Sequence, residues 1–204
     1  IYLTMGWLLI FSLLTTSTSV LSARVKKGES RKAIAFHNSS ITVLTDRGYL
    51  PALKGAIDKA QKEVTLSFYH FKTKGSNDSY PDVIMASLMT ASQRGVKVLV
   101  LLEQGRDPGE DNTRENMQTM ERLRKMWVIV YLDSPSTTTH TKMAVMDGIY
   151  TFIGSHNLTQ SALKYNNEIS VMIESPQVAA EALDYIESLI PNPDKLTKGG
   201  LHVK

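Results

Sequence analysis

No cysteine occurs in the 204 residues, which removes disulfides, thiolate-ligated zinc and a thiol nucleophile together. A chain without thiols suits oxidising and reducing compartments equally, so the compartment has to be read elsewhere. A charge excess is nearly lacking too: 23 Lys and Arg against 20 Asp and Glu leave +3, too mild to choose between nucleic acid, an anionic membrane and neither. No H-E-x-x-H run or paired acidic cluster offers a metal site, so neither metal nor cofactor is expected. No internal repeat breaks the chain into modules. What remains, 42% hydrophobic with 21% charged residues, is the composition of an ordinary globular domain, long enough for one core and hardly for two.

Charge is wholly absent from residues 1–23, where an apolar run at 7–14 is followed by a Ser/Thr-rich patch and small residues ending at Ala23. That pattern fits a secretory signal peptide, or an anchor just long enough to span a bilayer and contact the membrane if uncleaved. The chain is accordingly expected to be exported (periplasmic or secreted) or held at a membrane. Residues 24–35, with Arg24, Lys26, Lys27, Arg31 and Lys32, read as a basic linker, 36–190 as the folded domain and 191–204 as a frayed tail.

Within the domain, short apolar runs at 34–36 and 41–44 predict one or two early strands around a turn at 37–40. Helical spacing covers 49–62, with Leu50, Leu53, Ile57 and Ala60 on one side and Pro51 in the first turn. A β-branched and aromatic strand follows at 64–71, a polar loop at 72–79, and a helix from Pro81 to a stop at Gly95. The apolar stretch 96–102 reads as a central parallel strand, 113–125 as an amphipathic helix, 128–132 and 168–173 as strands, and 177–189 as a closing helix. Strands alternating with helices predict an α/β domain: a mixed, largely parallel sheet sandwiched by helices on both faces.

The chemistry gathers in residues 140–168. Asp147-Gly148 between two apolar runs signals a hairpin. Strand alternation then sets His140 and Lys142 on one face, and Ser155 and Asn157 lie just past the returning strand. An imidazole, an ammonium, a hydroxyl and a carboxamide converging on one spot suit a phosphate diester. His156, between the last two, points away by the same alternation and reads as structural or rim. The spaced set H-x-K-x4-D followed by G-S-x-N resembles the HKD signature of the phospholipase D superfamily. From about residue 37 to 190 the chain is similar to the small members with one motif per chain, among them bacterial secreted or membrane-attached nucleases and mitochondrial phospholipase D-like proteins.

That resemblance implies a phosphodiesterase working through a covalent phosphohistidine. His140 would be the nucleophile, its ring kept neutral by the adjacent Lys142 charge, and Lys142 would neutralise a non-bridging oxygen as charge builds. Asn157 would donate to the same phosphoryl group, Ser155 would orient the pocket, and Gly154 would permit close backbone approach. Glu168 resembles the family's downstream acid, which accepts from Nδ1 of the nucleophile and so fixes its tautomer. Asp147 reads as architectural. One motif is half a site, since in-line displacement needs a nucleophile and an opposed acid; a homodimer would bring two motifs face to face. His70 and Lys72, a second H-x-K without the rest of the motif, are expected to line the cleft lip and touch substrate. Nucleic acid is the favoured substrate, making the chain a metal-independent endonuclease on DNA or RNA, on the strength of Lys72, Lys74, Arg106 and the 24–32 basic run; phospholipid is the alternative, drawing on the N-terminus and on Tyr69, Phe71 and Tyr80 as exposed aromatics near the cleft. A dimeric phosphodiester-binding module without turnover is the reading from another class.

Overall fold

The computed structural model describes residues 39–191 apart from residue 77. The leader or anchor at 1–23, the linker at 24–35, the early strand at 34–36 and the tail beyond 191 lie outside the described residues. Strand β1 (Ser40–Thr45) leads through a 3-10 turn (Asp46–Gly48) into α1 (Tyr49–Lys59) and β2 (Glu63–Phe68). Then come α2 (Tyr80–Gln93), β3 (Lys97–Leu102), α3 (Asp111–Arg124), β4 (Ile129–Leu132), the hairpin β5 (Lys142–Met146) and β6 (Tyr150–Gly154), α4 (Gln160–Lys164), β7 (Ile169–Glu174) and α5 (Pro176–Leu189). Helix α1 stops three residues short of the expected span because Ala60 swings to ψ 138°, freeing the chain to enter β2. Pro81 sits in the first turn of α2, and Gly95 takes the φ of +87° that closes the exit from it. Helix α4 was hidden in the sequence; Thr159 caps it by accepting from the Ala162 amide at 3.2 Å.

The seven strands form one mixed sheet in the order β1-β7-β6-β5-β2-β3-β4. Its parallel part is narrower than the sequence implied: β2–β3 and β3–β4 pair in parallel, while β1–β7, β7–β6, β6–β5 and β5–β2 are antiparallel. The hairpin fold-back makes this necessary, since β6 returns beside β5 and β7 returns beside β6. Helices cover both faces, unequally. Residues of α1 to α4 share a core with Val64, Leu66, Phe68, Val98, Val100, Ala144 and Phe152, each apolar side chain contributing about 1.5–3 kcal/mol when fully buried. On the other face, α5 is the one helix among the described residues, packing Ala179, Ala182 and Ile186 on Leu99, Leu101, Met143 and Val145. Beyond its reach Ile41, Val43, Ile153 and Ile169 stay exposed.

The carboxyl ends of β2, β3 and β4 and the start of β5 meet at one edge of the sheet, where ligands of open α/β sheets bind.

Candidate active site

His140 stands two residues before β5 begins, solvent-exposed, while Lys142 is the first residue of the strand and only 8% exposed. Alternation brings the two together as expected. The Lys142 ammonium donates to the backbone carbonyl of His140 at 3.2 Å, and Nζ lies 3.3 and 3.4 Å from Nδ1 and Nε2 of the ring. Tyr69, just past β2, supports both: its ring centroid is 4.4 Å from that of His140 and 5.1 Å from the lysine Nζ. Burial first, and then the Lys142 charge, hold the His140 pKa below the ordinary histidine value. Burial likewise lowers Lys142, and the Glu168 charge opposes that. An exposed ring whose protonation is disfavoured therefore faces a buried lysine.

Glu168 has different partners from those the resemblance implies. Its carboxylate accepts from the Ser155 hydroxyl and, at 3.0 Å, from the Asn166 side-chain amide; His140 is held by Lys142 and Tyr69 instead. The backbone of Glu168 is fixed by Asp46, whose N–H donates to Glu168 O at 2.9 Å and whose Oδ1 accepts from Glu168 N at 2.8 Å. Ser155 also accepts from the Ile169 amide at 3.1 Å. Gly154 is needed for contact: a Cβ there would lie 2.4 Å from Ser170 Cα. His156 is fully buried, stacked on Tyr49 at 4.2 Å and 7°, with its ring nitrogens 2.8 Å from the Ser170 hydroxyl and 3.0 Å from the Asp46 carbonyl. It braces the turn that holds Glu168 and takes no part in the cleft.

Asp147 is far along β5 from His140, at a φ of 54° in the hairpin turn. Its carboxylate accepts from the backbone amides of Gln61, Lys62 and Glu63 at 2.9, 2.8 and 3.0 Å. Burial disfavours its charge, but these three donors outweigh that and hold its pKa below the usual carboxylate range. It ties the motif hairpin to the start of β2, an architectural task.

Asn157 lines a cleft of about 430 Å³ together with His70, Lys72, Lys74, Tyr165 and Asn166, and its Oδ1 is buried with no hydrogen-bond partner among the described residues. Asn166 thus links this cleft to Glu168, and the Lys142 charge reaches His70, whose pKa burial chiefly lowers. Glu115 bridges the wall: it accepts from His70 Nε2 at 2.8 Å and pairs with Lys72. Of the three aromatics expected at the cleft, Tyr69 and Tyr80 are half-buried, whereas Phe71 is wholly inside the core. The alternation that carries His70 and Lys72 outward turns Phe71 inward.

Sequence reasoning missed how this wall is held. Past β2 the strip 69–73 pairs with Thr141 and Leu158 on one side, and on the side where β3 has ended it has α3 for a neighbour instead of a strand. Asn112 and Asn116 donate to Tyr69 O at 3.1 and 2.8 Å, and Asn116 Oδ1 accepts from the Phe71 amide at 2.9 Å. Thr119 donates to Phe71 O at 2.6 Å and accepts from the Thr73 amide at 3.2 Å, and Arg122 donates to Thr73 O at 2.6 Å. Polar residues at i, i+4, i+7 and i+10 of one helix replace a ladder.

Among the described residues no group of three or more His, Asp or Glu is placed to hold a metal ion, and no helix is long and apolar enough to cross a membrane. Compared with known proteins, residues 53–190 match the family described as cardiolipin synthase, PLD-like domain. A phospholipase D of Rickettsia conorii is 25% identical over 172 residues, covering 84% of this chain and 79% of that protein. A phospholipase D of Rickettsia typhi is 28% identical over 127 residues, and there the chain spans 55% of the relative's length. Among solved structures, Nuc from Salmonella typhimurium, described as a phospholipase D family member, superposes with a TM-score of 0.62 at 23% identity over 74% of this chain and 93% of its own.

Proposed function

The chain belongs to the phospholipase D-like family, whose members act on phosphodiester bonds, and from that premise we propose that it hydrolyses a phosphodiester through a covalent phosphohistidine on His140. The observation that carries the reading is an exposed histidine, its pKa lowered, with a buried lysine ammonium 3.3 Å from its ring. Neutral imidazole is the nucleophile, and the lysine is placed to neutralise charge building on phosphoryl oxygen. A ring nitrogen of His140 attacks phosphorus as the bond from phosphorus to the leaving oxygen breaks, and a second, protonated histidine gives its proton to that oxygen. The same second histidine then takes a proton from water, whose oxygen attacks phosphorus, breaks the P–N bond and restores His140. No step requires a metal.

The second histidine is proposed to be His140 of a second copy of the chain, since the leaving oxygen departs opposite the attacking ring. The exposed aliphatic patch of Ile41, Val43, Ile153 and Ile169 supports this: Ile153 directly precedes Gly154-Ser155 and Ile169 directly follows Glu168, so the patch runs into the site.

Nucleic acid is the favoured substrate, because the cleft beside the site is walled by lysines and polar side chains. The relatives named phospholipase D support a second reading, hydrolysis of membrane phospholipid. The two separate by assay in excess chelator with a single-stranded oligonucleotide and with phosphatidylcholine vesicles. Oligonucleotide cleavage, lost by about a thousandfold or more in His140→Ala, is the expected result. Vesicle hydrolysis alone would reverse the substrate, and inertness toward both by a folded protein would leave a binding module.

A further inference from the structure

The cleft of about 430 Å³ holds more than the reacting phosphate requires. Lys72 and Lys74 stand on the wall formed by the extension of β2, and Tyr165 and Asn166 stand opposite, after α4. Tyr165 is 68% exposed, so it is no part of the core. Lys164 lies over it, with Nζ 5.2 Å from the Tyr165 centroid and 5.4 Å from that of Tyr80. Two acidic groups answer these lysines: Glu115, engaged with Lys72 and His70, and Asp78, within electrostatic reach of Lys74 and Lys164. Lysines outnumber them, and an exposed aromatic ring flanks the positive mouth.

A phospholipid brings one phosphate and would leave the further lysines at this mouth without an anion. A polynucleotide brings a phosphate at every step and a base with a free π-face, which lysines and an exposed tyrosine match. Asn157 lines this cleft and belongs to the motif, while Asn166 lines it and binds Glu168, so the cleft adjoins the motif. We propose that it is a subsite for the nucleotide flanking the scissile phosphate of a single-stranded nucleic acid, with Lys74 and Lys164 on the phosphate and Tyr165 stacked on the base. The proposal rests on the phosphodiesterase reading for its placement of the scissile phosphate at His140, but its test does not depend on turnover.

In that test the His140→Ala protein, which binds without cleaving, is titrated with a fluorescein-labelled eight-residue oligothymidylate over a range of salt. Replacing Lys74 and Lys164 together by alanine is expected to weaken binding about tenfold and to flatten the slope of log K against log salt by about 1.4. Tyr165→Ala is expected to weaken binding roughly fivefold or more and leave the salt slope as it was. Absence of oligonucleotide binding, binding unchanged in all variants, or an effect of the variants confined to anionic phospholipid vesicles would each overturn the subsite. Wild-type cleavage is scored separately. Binding through these residues without cleavage sinks the phosphodiesterase reading and keeps the subsite, whereas cleavage with variant-insensitive binding does the reverse.

Discussion

His140 and Lys142 impose opposed demands on each other, and the site depends on that opposition. The lysine is buried and charged beside an imidazole, which penalises a second positive charge there. Both burial and this neighbour lower the His140 pKa, so the neutral ring persists to lower pH than in an ordinary histidine and is lost as pH falls through the lowered value. Replacing Lys142 by methionine keeps the stem and deletes the charge. The His140 ring proton signals, followed by NMR against pH, should then titrate at a higher pH than in the wild type; an unchanged or lower midpoint would contradict the electrostatic coupling. These two residues were legible because strand alternation across two positions is a short-range rule. The partners of Glu168 were not, because they depend on Asp46, more than a hundred positions earlier, entering the same corner. Phe71 was misplaced for a simpler cause: once His70 and Lys72 face the cleft, alternation turns the residue between them into the core, and its aromatic character does not override that parity.

Among the elements, α3 is the one whose contribution sequence patterning hides. It is poor in apolar residues, and a helix face bearing Asn112, Asn116 and Thr119 reads as solvated. Only the tertiary structure shows that this face docks on backbone groups of 69–73 which have no strand partner. Asn116 is fully buried and serves the Phe71 amide and the carbonyls of Tyr69 and Glu103, at 2.9, 2.8 and 2.9 Å. Asn116→Ala strands a buried amide and carbonyl and is expected to cost at least about 2 kcal/mol, at about 1–3 kcal/mol for each group left unpaired. Urea unfolding checks this, and a loss below about 0.5 kcal/mol would show that the ladder is not what holds the wall. The other elements were readable within a few residues, α4 excepted: five residues are too few for a periodic signal. Beyond the β5–β6 hairpin, strand order was not readable, since β1 reaches β7 from the opposite end of the domain.

Across the whole molecule, a single motif and an uncovered aliphatic patch belong to one account. If two copies meet across Ile153 and Ile169, a carboxylate in that patch is unpaired on burial. Ile169→Glu, at a side chain already 59% exposed, should fold normally, elute as a monomer and lose hydrolysis by at least about a hundredfold. A monomeric variant that retains full turnover would show that one chain supplies both histidines' work. Composition alone offered no sign of this, because an ordinary hydrophobic fraction does not say which apolar residues stay outside.

The most direct test of the central claim is covalent trapping. The protein is mixed with substrate carrying a radiolabelled scissile phosphate, in excess chelator, and quenched in base during turnover. Label stable to base and labile to acid, mapping to the peptide that contains His140 and absent from His140→Ala, is the predicted result. Hydrolysis that continues in His140→Ala, with no label on the wild-type protein, would contradict the account at its foundation.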